Sequence, residues 1–146
     1  MPRIAHCLFA ALLAAALALP SPSKAQGMDI VFETPSGNIE CTMVFKMNAS
    51  YIVCTIVQRN PGPTALPRPA DCTGYWGHSF TMLDTGPASL RCEPTPPRDT
   101  WIESKLNYGE TAPYRGLTCT STASGLQCVN TDGHGFFLSR ARQAVF

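Results

Sequence analysis

The sequence is short of charge. Asp, Glu, Lys and Arg make up 14% of its 146 residues, against about 25% in an average soluble domain. Eleven cationic side chains face ten acidic ones, for a formal charge of +1. With no basic excess to neutralise a run of phosphates, nucleic acid is not the expected partner. No long amphipathic repeat follows the first 25 residues, so helices are not expected to build the fold. No Cys-x-x-Cys or Cys-x-x-His pair exists, which argues against a zinc site and against thiol–disulfide catalysis. Gly-x-Ser-x-Gly, the strand-to-helix elbow of the α/β hydrolases, is absent too. Neither a metal nor a cofactor is expected.

What is there begins with a leader. "MPRIAHCLFAALLAAALALPSPSKAQG" has Arg3 near its start, an apolar run from Cys7 to Leu19, and Ser23-Lys24-Ala25 before Gln26. That is the layout of a secretory signal peptide covering residues 1–25. As a helix the run reaches only about 20 Å, short of the roughly 30 Å needed to cross a bilayer. No membrane span is expected in the mature chain, and a periplasmic or secreted location is. Losing Arg3 and Lys24 leaves nine cations against ten anions, a formal charge of about −1. Residues 26–146 then form a single domain able to bury a modest core.

With Cys7 gone, six cysteines remain: Cys41, Cys54, Cys72, Cys92, Cys119 and Cys128. An even count in an exported chain implies disulfides, and six cysteines allow fifteen connectivities. Five of the six have an aliphatic residue two positions earlier: Ile39, Ile52, Leu90, Leu117 and Leu126. Positions i and i−2 share one face of a strand, so these cysteines point inward beside an aliphatic neighbour. Cys72, in "RPADC", sits instead at a loop end. Turn residues fall between "NIECTMVF" and "YIVCTIV", between "SFTML" and "ASLRC", and between "GLTCTS" and "LQCVN". Folding each hairpin about its turn brings Cys41 opposite Cys54 and Cys119 opposite Cys128, which leaves Cys72 to pair with Cys92. The other connectivities require hairpins to exchange partners and stay open.

Pro61, Pro63, Pro67 and Pro69 cannot occupy a central strand, so "RNPGPTALPRPADC" reads as an extended surface crossing. In "TWIESKLNYG" a strand through Leu106 and Tyr108 is expected before a turn at Gly109. The fold class is all-β: a small disulfide-rich antiparallel sandwich or partly closed barrel built from hairpins.

The candidate site residues are few. His78 and His134 survive maturation, each beside glycine, but only Asp84 and Asp132 lie near enough in sequence to complete a metal set. Ser124 and Ser139 lack a nucleophile's setting, although a triad is recognised by geometry rather than spacing. Glu103 and Glu110 carry nothing that separates them from solvated surface acids. Tyr75, Trp76, Phe80, Trp101, Tyr108 and Tyr114 supply aromatic surface of the kind that anchors interfaces, if it is exposed. Trp76, His78, His134 and Tyr108 are therefore the candidate binding residues. In "TDGHGFFLSR" a turn leads into a strand, with Phe136 and Leu138 on one face and Phe137 and Ser139 on the other. Arg140 is then placed to hold a carboxylate, and Asp71 is the expected partner.

"SGNIECTM", "PRPADC", "YWGH", "LNYG", "GLTCTSTASGLQCVN" and "GHGFFLSR" occur in that order. Together they resemble a family of small exported bacterial proteins of uncharacterised function, marked by Ser-Gly-Asn-Ile-x-Cys and Gly-His-Gly-Phe-x-Leu-Ser-Arg. The resemblance implies export, six cysteines and a compact domain; it brings no activity, substrate or cofactor. The function expected is non-catalytic: a monomeric binding domain for a protein or glycan of the cell envelope or exterior. An inhibitor of an envelope-attacking hydrolase, such as a lysozyme or protease, is the alternative. A small hydrolase is the third reading.

Overall fold

The computed structural model describes residues 29–97, 102 and 104–146. The expected signal peptide therefore lies outside the described residues. Among the described residues ten strands follow one another, none longer than nine residues: β1 (Ile30–Glu33), β2 (Ile39–Lys46), β3 (Ala49–Ile56), β4 (Tyr75–Leu83), β5 (Ser89–Glu93), β6 (Thr111–Tyr114), β7 (Leu117–Thr122), β8 (Gly125–Asn130), β9 (Gly135–Leu138) and β10 (Gln143–Val145). No helix occurs among the described residues.

The strands divide into two antiparallel meanders. One sheet runs β1-β2-β3-β4-β5 and the other β10-β9-β8-β7-β6, each strand paired with its neighbours in sequence. Two open sheets packed on one another make a sandwich, so the barrel alternative does not apply. Alternation produces the core directly. In β3, Ser50, Ile52, Cys54 and Ile56 are buried while Tyr51, Val53 and Thr55 are half-buried. One cluster joins Phe32, Met43, Ile52 and Phe80 of the first sheet to Leu117, Leu126, Phe136 and Leu138 of the second.

The two sheets repeat one register. Phe32, Cys41, Cys54, Phe80 and Leu90 lie opposite one another across the first. Ala112, Cys119, Cys128, Phe136 and Val145 do so across the second. Both rows thus place a directly opposed cysteine pair beside a phenylalanine. Phe80 and Phe136 then meet between the sheets, ring centroids 5.8 Å apart. Cys41–Cys54 and Cys119–Cys128 are disulfides with Cα atoms 4.1 Å apart, the close spacing of a non-hydrogen-bonded pair. Cys72–Cys92 ties the end of the proline-rich crossing to edge strand β5.

The edges are covered or blunted. Segment 104–106 runs along β1, with Glu33 N donating to Ser104 O at 3.0 Å and Leu106 N to Glu33 O at 2.9 Å. Lys105 ion-pairs with the buried Glu33 there. The strand expected through Leu106 and Tyr108 is replaced by this single bridge at Lys105. Leu106 supplies one buried side chain, and Tyr108 is already in a turn. At one edge of the second sheet Pro113 interrupts the donors of β6, which discourages pairing with another chain.

Candidate functional site

The strongest constellation comes from an irregularity in β4. Between Tyr75 and Ser79 that strand carries extra residues relative to Glu93 and Arg91 of β5. Gly77 sits in the left-handed region, at φ +84°. A bulge of this kind re-aims the side chains beside it. Strict alternation from the buried Phe80 would turn Ser79 outward and His78 inward. Instead His78 and Ser79 line the same groove on the outer face of the first sheet.

That groove is about 350 Å³. Its floor is one row across the sheet, Glu40, Thr55, Ser79 and Arg91. His78 and Glu93 add to it, and Thr95, Pro96 and Pro97 form a wall. Arg91 Nε lies 3.3 Å from Glu93 Oε1, with the guanidinium half exposed. His78 Nδ1 is 2.7 Å from Ile56 O. A carbonyl oxygen only accepts, so Nδ1 carries the proton and Nε2 is the ring nitrogen left for a ligand. The groove offers a cation, carboxylates, hydroxyls and an imidazole side by side.

Gly77 is decisive for that arrangement. A Cβ there would overlap Thr64 Cγ2, and a left-handed conformation costs an L side chain about 1–3 kcal/mol. Gly77→Ala is expected to lower stability by at least that amount and to shift the His78 ring resonances in an NMR spectrum. Unmoved His78 signals in a folded variant would show that the bulge does not set the ring.

The other candidates lie elsewhere. Trp76 is half-buried and donates its indole N–H to Leu66 O at 3.0 Å, pinning the proline-rich crossing onto β4. His134 belongs to the β8–β9 turn, where Asn130 Oδ1 accepts its backbone N–H at 3.1 Å. That turn grips the other sheet: Asn130 Nδ2 donates to Leu83 O and Gly86 O at 3.1 and 2.7 Å. Asp132 and Asp84 both accept backbone N–H groups, from Gly86 and Ser50. Among the described residues no group of three or more His, Cys, Asp or Glu could hold a metal ion. Tyr108, 51% exposed, borders a separate groove of about 290 Å³ with Asn38, Ser124 and Arg140. Trp101 and Glu103 lie outside the described residues.

The expected Asp71–Arg140 ion pair is not formed. The described ion pairs are Arg91–Glu93 and Lys105–Glu33. Asp71 is exposed in the turn beside Cys72, where Arg68 holds the chain through Cys72 O and Gly74 O. Arg140 sits at the other end of the crossing, its carbonyl accepting from Asn60 N at 2.8 Å. The prolines between Asn60 and Asp71 carry the chain away from it.

Fold and groove together define a class: a disulfide-stapled sandwich of two five-stranded meanders with a charged groove on the outer face of one sheet. No helix of the described residues is long and apolar enough to cross a membrane. The chain belongs to a family of unknown function, DUF6636, whose model matches residues 11–146. No curated protein and no solved structure matches it.

Proposed function

We propose that the chain is an exported, non-catalytic binding domain of the cell envelope or exterior, and that the His78 groove is its recognition surface. The groove itself carries this reading: a glycine-dependent bulge turns an imidazole outward among charged side chains on a disulfide-braced sheet. Three disulfides fit an oxidising compartment. A triad histidine takes the nucleophile's proton on Nε2 and delivers it to the leaving group, while a carboxylate orients its Nδ1–H. His78 donates its Nδ1–H to a backbone carbonyl, which fixes the orientation of the ring, and no carboxylate bonds to it among the described residues.

The test immobilises the oxidised domain and its His78→Ala and Arg91→Ala variants against envelope extract. Capture of a discrete partner by the parent, weakened at least tenfold in both variants, is expected. The opposing result is turnover of an ester or glycan panel that disappears in His78→Ala and Ser79→Ala. It would make the groove an active site, the reading that the adjacency of His78 and Ser79 favours.

A further inference from the structure

Net charge hides a local concentration of positive charge. The start of the proline-rich crossing and the β9–β10 turn enclose a pocket of about 150 Å³ lined by Arg59, Arg140 and Arg142. Its remaining lining comes from Asn60, Pro61, Gly62, Pro63, Ala141 and Gln143, with no carboxylate among the described lining residues. None of the three guanidinium groups takes part in either described ion pair. Three uncompensated cations around so small a space repel one another, and an anion relieves that repulsion.

The pocket is also built rather than fortuitous. Asn60 N donates to Arg140 O at 2.8 Å and locks the two loops together. The β9–β10 turn is closed by Ser139 Oγ donating to Arg142 O at 3.0 Å and accepting from Arg142 N at 2.9 Å. Gln143 fixes the far side, accepting from Ala65 N and donating to Gly77 O at 3.0 and 2.9 Å. Arg59 Nη2 donates to Gly62 O at 2.7 Å. Its Nε is buried with no hydrogen-bond partner among the described residues. A buried donor left unsatisfied is costly, and an anion beside the guanidinium would offset that cost electrostatically. Arg142 lies over the Phe137 ring, 4.5 Å from its centroid, which holds that guanidinium in place. Arg140 is exposed and free to close on a ligand.

We infer that this pocket binds the phosphate group of a phosphorylated ligand. Three guanidinium charges match a phosphate dianion better than a single carboxylate, and planar Arg forks suit its oxygens. Arg140 and Ala141 also border the groove that holds Tyr108, Asn38 and Ser124, so the rest of the ligand has a polar surface beside its phosphate. The inference stands apart from the His78 groove and survives if that groove proves to have another role.

Titration of the oxidised full-length mature chain with inorganic phosphate, followed by NMR at fixed ionic strength, tests it. Saturable shifts of the Asn60–Pro63 and Arg140–Gln143 signals are expected, with affinity falling at least tenfold in Arg140→Glu. Arg142→Gln should lose a similar factor, whereas Lys46→Ala, which removes an exposed cation outside this pocket and the His78 groove, should bind as the parent does. Glycerol 3-phosphate and vesicles of phosphatidylglycerol, with phosphatidylcholine as control, then separate a soluble phosphomonoester from a lipid headgroup; binding to either supports the site. Equal shifts with chloride, or unchanged phosphate affinity in folded Arg140→Glu, would overturn it.

Discussion

Reduction of all three disulfides is expected to unfold the domain at room temperature. The links join residues 13, 20 and 9 positions apart. Loop-closure entropy assigns each of them about 3 kcal/mol, so together roughly 9 kcal/mol. A native domain has only about 5–15 kcal/mol in total. The loss should also be ordered. Cys41, Cys54, Cys119 and Cys128 are at most 1% exposed, whereas Cys92 is exposed on edge strand β5. Thiol–disulfide exchange needs access to a sulfur, so Cys72–Cys92 should open first. Timed alkylation with mass spectrometry reads the order, and circular dichroism melts with and without reductant read the stability. Opening of that one link should lower the melting temperature by on the order of 10 °C. Early labelling of Cys41 or Cys119, or a melt unaffected by reductant, would remove the basis for this view.

The second large effect sits where the sheets meet. Phe80 and Phe136 are both fully buried and in contact. Truncating either to alanine is expected to cost about 3–5 kcal/mol, because the transfer energy of the ring is lost and a cavity remains. The double variant should cost less than the sum by about 0.5–1.5 kcal/mol, the coupling of an aromatic pair in contact. Urea denaturation of the four proteins of the cycle gives that number directly. Strict additivity would mean that the two rings act separately, each serving its own sheet.

Most of the fold was readable because alternation is a local signal. An aliphatic residue two before a cysteine marks the inward face of a strand whatever the partner strand is. Hence β2, β3, β7 and β8 announce themselves, and β9 follows from the spacing of Phe136 and Leu138; in β5 Leu90 is buried but Cys92, expected inward, is exposed at the sheet edge. The short edge strands do not: β1 and β6 have four residues and β10 three, too few for a period of two to stand out. The segment around Leu106 misled for the same reason, since one buried leucine and one bridge resemble a strand in sequence. The sites were less legible still. Trp-Gly-His could be singled out, but that Gly77 bends β4 and aims His78 outward depends on pairing with β5. Arg59 and Arg142 are 83 positions apart, and only the closure of two loops brings them together. Pairing Arg140 with Asp71 failed because shared motif membership says nothing about distance.

The order of the disulfides has a consequence for how the molecule is made. The cysteines pair first with second, third with fourth and fifth with sixth, so the three covalent loops neither nest nor overlap. A chain threaded through a membrane amino end first presents Cys41 and Cys54 before Cys72 exists on the far side. An oxidant that joins cysteines in order of emergence therefore makes the native set at the first attempt. On the proposed export route, maturation would then need no reshuffling by an isomerase.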